Sequence, residues 1–279
     1  MSSLPVEVVR GAFDAVSSSL EWLHARTGIG HLAGNSKDAI LMYHAVGEDP
    51  DVGYYGNVSP EQLDESLAYV SEYADVVPLS AFDPGGRRQR QVAITFDDGL
   101  RSFYTQALPI LEAHDIPATV FVNPAFVDDR NRELALSRHG IDPTGRVMLT
   151  DEELLALADH PLVSVGNHTL THRDLSTIDD EAQLHDEVVE SKRLLADRYG
   201  IDTDLFSYPH GDFDEESRAL VEATHDVSVT TTPFLVDRGG THVLPRIGAH
   251  VPLRRFRWDL SPGGDKLNRL RYGLASMRA

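Results

Sequence analysis

Two adjacent carboxylates, Asp97 and Asp98, close the apolar run Val92-Ala93-Ile94-Thr95-Phe96, with Gly99 directly behind them. A short β-prone run of this kind reads as a buried strand, so the carboxylates sit where it emerges from the core. Two acidic groups in that position are costly unless something positive holds them, and a metal ion is the obvious candidate. Asp-Gly is also a common hairpin signal, so a solvated turn is the plain alternative. A second run, Leu162-Val163-Ser164-Val165-Gly166-Asn167, leads into His168-Thr169-Leu170-Thr171-His172. Imidazoles four positions apart can approach one ion from the same side of a tight loop or helical turn. Two histidines and one carboxylate form a recurring set of three protein ligands that leaves coordination positions open for water or substrate. Either cluster alone is weak; the pair points to a catalytic metal site.

The elements around these clusters must bring them together. Apolar positions Val6, Val9, Phe13, Val16, Leu20 and Leu23 step by three and four, which predicts an amphipathic helix over 4–26. Its expected role is to cap one end of the domain, with a membrane-surface or partner helix as the alternative. Gly28, Gly30 and Gly34 mark a linker. From residue 39 strands alternate with helices: strand 39–44, then a helix opening at the capping box Ser59-Pro60-Glu61-Gln62. Strand 91–96 precedes a helix over 101–114, interrupted or kinked at Pro109. Strand 118–122, a helix capped by Thr150-Asp151-Glu152-Glu153, strand 162–165 and a long helix near 179–199 ending at Gly200 follow. Strand 204–208, helix 214–224 and strands near 226–231 and 243–247 complete the series, with a basic helix around 264–277 at the C-terminus. This alternation predicts an α/β fold, an irregular (β/α) barrel of about seven parallel strands. Both clusters then fall at the carboxyl ends of strands, where barrel sites are built. The organisation expected is an N-terminal helix and linker over 1–37, the barrel over 38–260 and the C-terminal helix over 261–279.

Taken in order, these residues resemble the polysaccharide deacetylase family, also called carbohydrate esterase family four. Thr95-Phe96-Asp97-Asp98-Gly99 is similar to its first motif and His168-Thr169-Leu170-Thr171-His172 to its second. Phe206-Ser207-Tyr208-Pro209-His210-Gly211 resembles the third, Leu244-Pro245-Arg246-Ile247 a segment near the end of many members, and Ile40-Leu41-Met42-Tyr43-His44 the opening strand of a large subgroup. The resemblance implies that Asp98, His168 and His172 bind a divalent metal and that Asp97 is the base that deprotonates water. It implies that the position of His210 supplies a backbone N–H to the oxyanion. Many members orient the base with an arginine in the third motif; Ser207 stands near that position here, and Arg246 is the hypothesised substitute. No clean match to the late histidine motif is present, so His44 is the first candidate for the general acid and His250 the second. The remaining histidines lack ligand spacing and read as structural or surface groups.

The implied activity is metal-dependent removal of N-acetyl groups from an amino sugar in a polysaccharide, oligosaccharide or glycan precursor. Zinc suits the donor set best, with cobalt, nickel, iron and manganese as alternatives. Two other readings stand beside it: hydrolysis of a non-sugar amide or imide on the same fold, and a carbohydrate-binding protein without activity. The last predicts a missing ligand or base, yet all four positions are filled.

Composition bounds the rest. The 279 residues suffice for one large domain. Cysteine is absent, so thiolate ligands and disulfides are excluded. Acidic residues number 44 against 25 basic ones, of which lysine supplies only Lys37, Lys192 and Lys266. A net charge of −19 disfavours non-specific nucleic-acid binding. Spread along the chain as it is, it suggests adaptation to concentrated salt, with a cationic partner as the alternative. The last 26 residues reverse the sign, with seven basic residues against Asp259 and Asp265. Peripheral membrane contact through the terminal helices is one reading of that reversal. No signal-peptide pattern opens the sequence, which gives a cytoplasmic expectation.

Overall fold

The computed structural model describes residues 6–33, 37–47, 56–85, 89–140, 145–237, 239 and 242–276. In chain order the elements are α1 (Val6–Thr27), β1 (Ala39–Tyr43), α2 (Pro60–Tyr73), β2 (Asp75–Val76), β3 (Gln91–Phe96), α3 (Leu108–His114) and β4 (Ala118–Val122). Then come α4 (Arg132–His139), α5 (Asp151–Ala158), β5 (Val163–Asn167), α6 (Glu181–His185), α7 (Ser191–Tyr199), β6 (Leu205–Ser207) and α8 (Glu215–Thr224). The chain closes with β7 (Val227–Val229), β8 (Val243–Leu244), β9 (Ile247–Gly248), α9 (Leu253–Asp259) and α10 (Pro262–Ser276).

All strand pairings are parallel, in the order β8-β7-β6-β5-β4-β3-β1-β9, with β2 added on β3. The two ends of this path, β8 and β9, are joined by Pro245 and Arg246 alone, so the sheet curls back on itself as an irregular (β/α) barrel. The path has eight segments where about seven strands were expected. The difference lies in the expected strand 243–247. Pro245 has no N–H to offer a ladder, and the Arg246 amide donates to Thr232 O (3.0 Å) instead, so one strand becomes two short ones.

Strand β3 is buried at all six positions, as a continuous apolar run in a two-sided environment requires. Its last residue, Phe96, packs between Tyr43 (ring centroids 5.1 Å) and Phe103 (4.9 Å). Truncating such a ring costs about 3–5 kcal/mol and frees the strand end that carries Asp97. On β5, Gly166 leaves space for the Phe121 ring of the neighbouring strand: a Cβ there would stand 2.3 Å from Phe121 Cδ1.

Both capping boxes form, Ser59 with Gln62 and Thr150 with Glu153. Two expected helices are interrupted. In the 101–114 segment a π-helical turn, Phe103–Ala107, precedes α3, where Pro109 withholds one helical N–H. The long helix near 179–199 is α6, a second π-helical turn (Asp186–Glu190) and α7, ending at Gly200 with φ 68°. The glycine linker is in part a packed 3-10 turn, Ile29–Ala33: a Cβ on Gly30 would meet Ser261 Oγ at 2.4 Å and His24 Nδ1 at 2.8 Å. Helix α4 was not foreseen, because it buries a single apolar side chain, Ala135, and carries little periodic signal.

Candidate metal and catalytic site

Each motif sits immediately past the carboxyl end of a strand: Asp97 and Asp98 after β3, His168 after β5, and Pro209-His210-Gly211 after β6. The parallel register β3–β4–β5 sets the first two side by side. The Asp97 amide donates to Tyr43 O (3.0 Å) and the His168 amide to Val122 O (3.0 Å), extending the ladders by one residue. Beyond that point the backbone turns sharply. Asp98, Thr169, His172 and His210 all adopt left-handed φ values of 75°, 65°, 53° and 60°. Such a conformation is an outlier for β-branched Thr169, and strain of this kind persists only where the surroundings impose it.

The surroundings do so with buried hydrogen bonds. Asn167 Oδ1 accepts from the Thr169 amide (3.1 Å) and from Ser191 Oγ (2.6 Å), while its Nδ2 donates to Val188 O (3.0 Å) and His225 Nε2 (3.2 Å). Asn123 Nδ2 donates to the carbonyls of both His168 and Thr169. The second π-helical turn presents Glu187, 4% exposed, whose carboxylate accepts from the Thr171 amide (2.8 Å) and hydroxyl. Widened single turns of this kind are frequent at functional sites.

The result is a buried donor set. Asp98 Oδ1 lies 3.3 Å from His168 Nε2 and 3.3 Å from His172 Nε2, and the three ligand atoms fall within 4.8 Å of one another. Metal bonds of about 2.0–2.2 Å at tetrahedral angles put neighbouring donors about 3.4 Å apart, so the spacing fits one divalent ion. His168 Nδ1 donates to the Ser207 carbonyl (2.7 Å), which leaves Nε2 as the acceptor facing the other two donors. Burial would raise the Asp98 carboxyl, but His139, His168 and His172 outweigh it and hold it well below the usual carboxylate range. Burial pushes the His172 imidazole well down despite Asp98. His168 is displaced the other way, since Asp98 and Asp97 overcome its burial.

Asp97, 3% exposed, lies outside that set and is held by Arg246. Nη1 donates to Asp97 Oδ1 (2.7 Å) and Nη2 to Oδ2 (2.6 Å), a bidentate pair inside the barrel. Burial would raise Asp97, but the guanidinium, then His168, bring it below its ordinary value. The structure thus places Arg246 on Asp97, as the sequence suggested, and puts Ser207 Oγ beside the same guanidinium nitrogen (3.0 Å).

A cleft of about 530 Å³ opens over these groups, lined in part by Asp97, Asp98, His168, His172 and His210. His44 and His250, the two candidates for the general acid, also line it. They stand close together: a Cβ on Gly56 would lie 3.2 Å from His44 Nδ1 and 3.7 Å from His250 Nδ1. Burial, helped by His44, lowers the His250 imidazole. The His210 ring packs edge-on against His172 (4.9 Å) and its carbonyl accepts from Thr231 Oγ1 (2.8 Å).

His139, which the sequence reading left among the structural or surface histidines, lines the same cleft. Its side chain is fully buried, with Nδ1 3.6 Å from Asp98 Oδ1 and its ring 4.6 Å from that of His172. It stands outside the three-ligand group. No spacing pattern signalled it, because it reaches the site from α4, an element with almost no apolar periodicity.

A family model described as polysaccharide deacetylase matches residues 85–226. The polysaccharide deacetylase homologue YxkH of Bacillus subtilis is 26% identical over 220 residues, covering 76% of this chain and 71% of its own length. A chitooligosaccharide deacetylase of Rhizobium leguminosarum bv. trifolii is 33% identical over 132 residues, and the match spans 46% of each protein, less than half the length of that relative. Among solved structures, the Streptococcus pyogenes deacetylase PplD in complex with acetate superposes with a TM-score of 0.61 at 23% identity, covering 76% of this chain and 91% of its own. At that identity the likeness is one of fold.

Proposed function

The chain belongs to the polysaccharide deacetylase family, and from that premise we propose that it is a metal-dependent N-deacetylase of an N-acetylated amino sugar in an oligosaccharide, polysaccharide or glycan precursor. One observation carries the reading: a carboxylate locked by arginine, Asp97, lies beside a separate Asp98-His168-His172 donor set at the floor of one cleft. The donor set suits zinc first, with cobalt, nickel, iron or manganese as alternatives. When bound, such an ion supplies positive charge that acidifies water and polarises a carbonyl.

The residues divide the remaining work. An amide resists hydrolysis through resonance, so attack needs a base, a stabilised oxyanion and an acid for the leaving amine. Asp97 stays ionised at neutral pH under the Arg246 charge and accepts the proton of the attacking water. Arg246 is a positioning residue, fixing both carboxylate oxygens. The backbone at His210 borders the cleft where the acetyl oxygen would become negative. His44 donates the proton to the departing amine: it follows β1 and lines the cleft.

The rhizobial relative is named for chitooligosaccharides, which supports an N-acetylglucosamine-type substrate. Among the described residues the cleft wall contains no Phe, Tyr or Trp, which leaves hydrolysis of a small non-sugar amide as the second reading. Acetate release from a panel of N-acetylated oligosaccharides and small amides, with Asp97→Asn as control, separates them. Release from oligosaccharides that the variant loses about 10²–10⁴-fold supports the proposal. Equal release by the variant, or release from small amides alone, overturns it.

A further inference from the structure

Helix α1, the turn Ile29–Ala33, α9 and α10 pack on one another as a helical layer against the barrel. Among its described side chains there are three acids, and all are hidden: Glu21 is 5% exposed, Asp259 6% and Asp265 1%. Arg255 pairs with Glu21 (2.9 Å) and Asp259 (2.7 Å); Lys37 (2.9 Å) and Arg269 (3.0 Å) pair with Asp265. Among the described side chains of the layer the exposed charge is therefore all positive, from Arg26, Lys266, Arg271 and Arg254, the last also 3.8 Å from Glu21. Asp237, at its border, is engaged by Lys37 and Arg269. On a chain of net charge −19 the described part of this face has the opposite sign to the body.

The same layer exposes large apolar side chains: Val16 (52%), Trp22 (49%), Leu23 (43%), Leu32 (85%) and Leu270 (54%). Trp22 is flanked from two elements, with the Arg26 guanidinium 4.6 Å and the Arg254 guanidinium 5.5 Å from its ring centroid. A tryptophan between arginines, with leucines beside it, is the composition of a helix that lies in a bilayer interface: cations meet headgroup phosphates while apolar side chains enter the acyl boundary. Leu32 protrudes, so a protein partner would need a recess for it, whereas a fluid surface needs none. No helix among the described residues is long and apolar enough to cross a membrane.

We propose that this face docks the protein on a membrane surface rich in anionic lipid, with Trp22, Leu23 and Leu32 inserted and Arg26 and Arg254 on phosphate. The first residue of α9 follows His250, at the cleft wall, by three positions, so docking brings the bilayer to the element next to the catalytic cleft.

Flotation of the full chain with vesicles of phosphatidylcholine, with and without phosphatidylglycerol, tests this. Binding is expected only to the anionic vesicles and should weaken as salt rises. Trp22 emission should shift to the blue, because the other tryptophan, Trp258, is already 3% exposed and will not respond. Trp22→Glu with Leu32→Glu should lower vesicle affinity at least tenfold, and Arg26→Ser with Arg254→Ser should do likewise. Both variants should keep the parent's melting temperature and its acetate release from a soluble substrate. Equal flotation with neutral vesicles, no flotation at low salt, or unchanged binding by both variants overturns the proposal. So does a dimer, basic face on acidic body, that forms without lipid and is abolished by the same substitutions.

Discussion

Arg246 spends all five of its N–H donors inside the barrel, two of them on the carboxylate of Asp97. Nε donates to Thr230 O (2.9 Å), Nη1 to Thr95 Oγ1 (3.1 Å) and Asp97 Oδ1 (2.7 Å), and Nη2 to Asp97 Oδ2 (2.6 Å) and Ser207 Oγ (3.0 Å). With 0% exposure it has no water to replace a lost partner. A guanidinium satisfied in this way is a rigid template for one carboxylate orientation.

Arg246→Met leaves Asp97 buried without its counter-charge. Breaking a buried pair costs about 3–5 kcal/mol of stability, which urea unfolding will report. The Arg246 charge holds Asp97 below its ordinary pKa, so removing it lets burial drive the group upward. The acid limb of the rate profile should therefore move to higher pH, a shift that a purely structural loss would not produce. Arg246→Lys keeps the charge but not the fork, and should restore stability better than turnover.

Metal dependence has its own readout. Chelation should abolish acetate release, and zinc or cobalt should restore it. Binding of an ion to the folded state alone raises stability by RT ln(1 + [L]/Kd), about 4 kcal/mol at a thousandfold excess over Kd. A melting temperature that rises with added zinc in the parent, and not in His168→Ala or Asp98→Ala, is the expected pattern. An identical rise in those variants places the ion elsewhere.

Much of this site was legible in the sequence because its residues lie just after apolar runs, where strand ends can be read from periodicity. Asp97, Asp98, His168 and His172 announce themselves by type and spacing. Arg246 was suggested only by the resemblance of Leu244-Pro245-Arg246-Ile247 to a late segment of the family, since a bond between positions 149 residues apart leaves no local trace. The irregular parts were hidden for a physical reason. The split of the last strand follows from Arg246 binding the Thr232 carbonyl, and the π-helical turn that aims Glu187 follows from tertiary demand. His139 was illegible altogether, carried by a helix with a single buried apolar residue.

The two histidines at the cleft wall make opposite predictions under alanine substitution. If His44 delivers the leaving-group proton, His44→Ala should lower kcat by about 10²–10⁴-fold with little change in KM, while His250→Ala should cost less than tenfold. Substrates with better leaving groups should rescue His44→Ala selectively. A larger loss at His250 reverses the assignment.

His225 links pH to the loop that carries the second motif. It is 3% exposed, and burial, aided by the charge of Lys192, lowers its pKa to about 4. Its Nε2 accepts from Asn167 Nδ2 (3.2 Å) and its Nδ1 lies 2.9 Å from Thr224 Oγ1, whose hydroxyl is 2.8 Å from Leu220 O. Only the neutral ring can accept from Asn167, the residue that fixes the strained Thr169. The unfolded chain binds this proton near pH 6.5 and the folded chain near pH 4, so the unfolded state gains protons first as pH falls. The contribution is complete above pH 6.5 and is lost on descending toward pH 4, by roughly 3 kcal/mol for a group so buried. Urea unfolding of parent and His225→Gln at a series of pH values isolates it. The difference in stability between the two should narrow steadily across that window, and a difference independent of pH would show that the ring titrates normally in the folded protein.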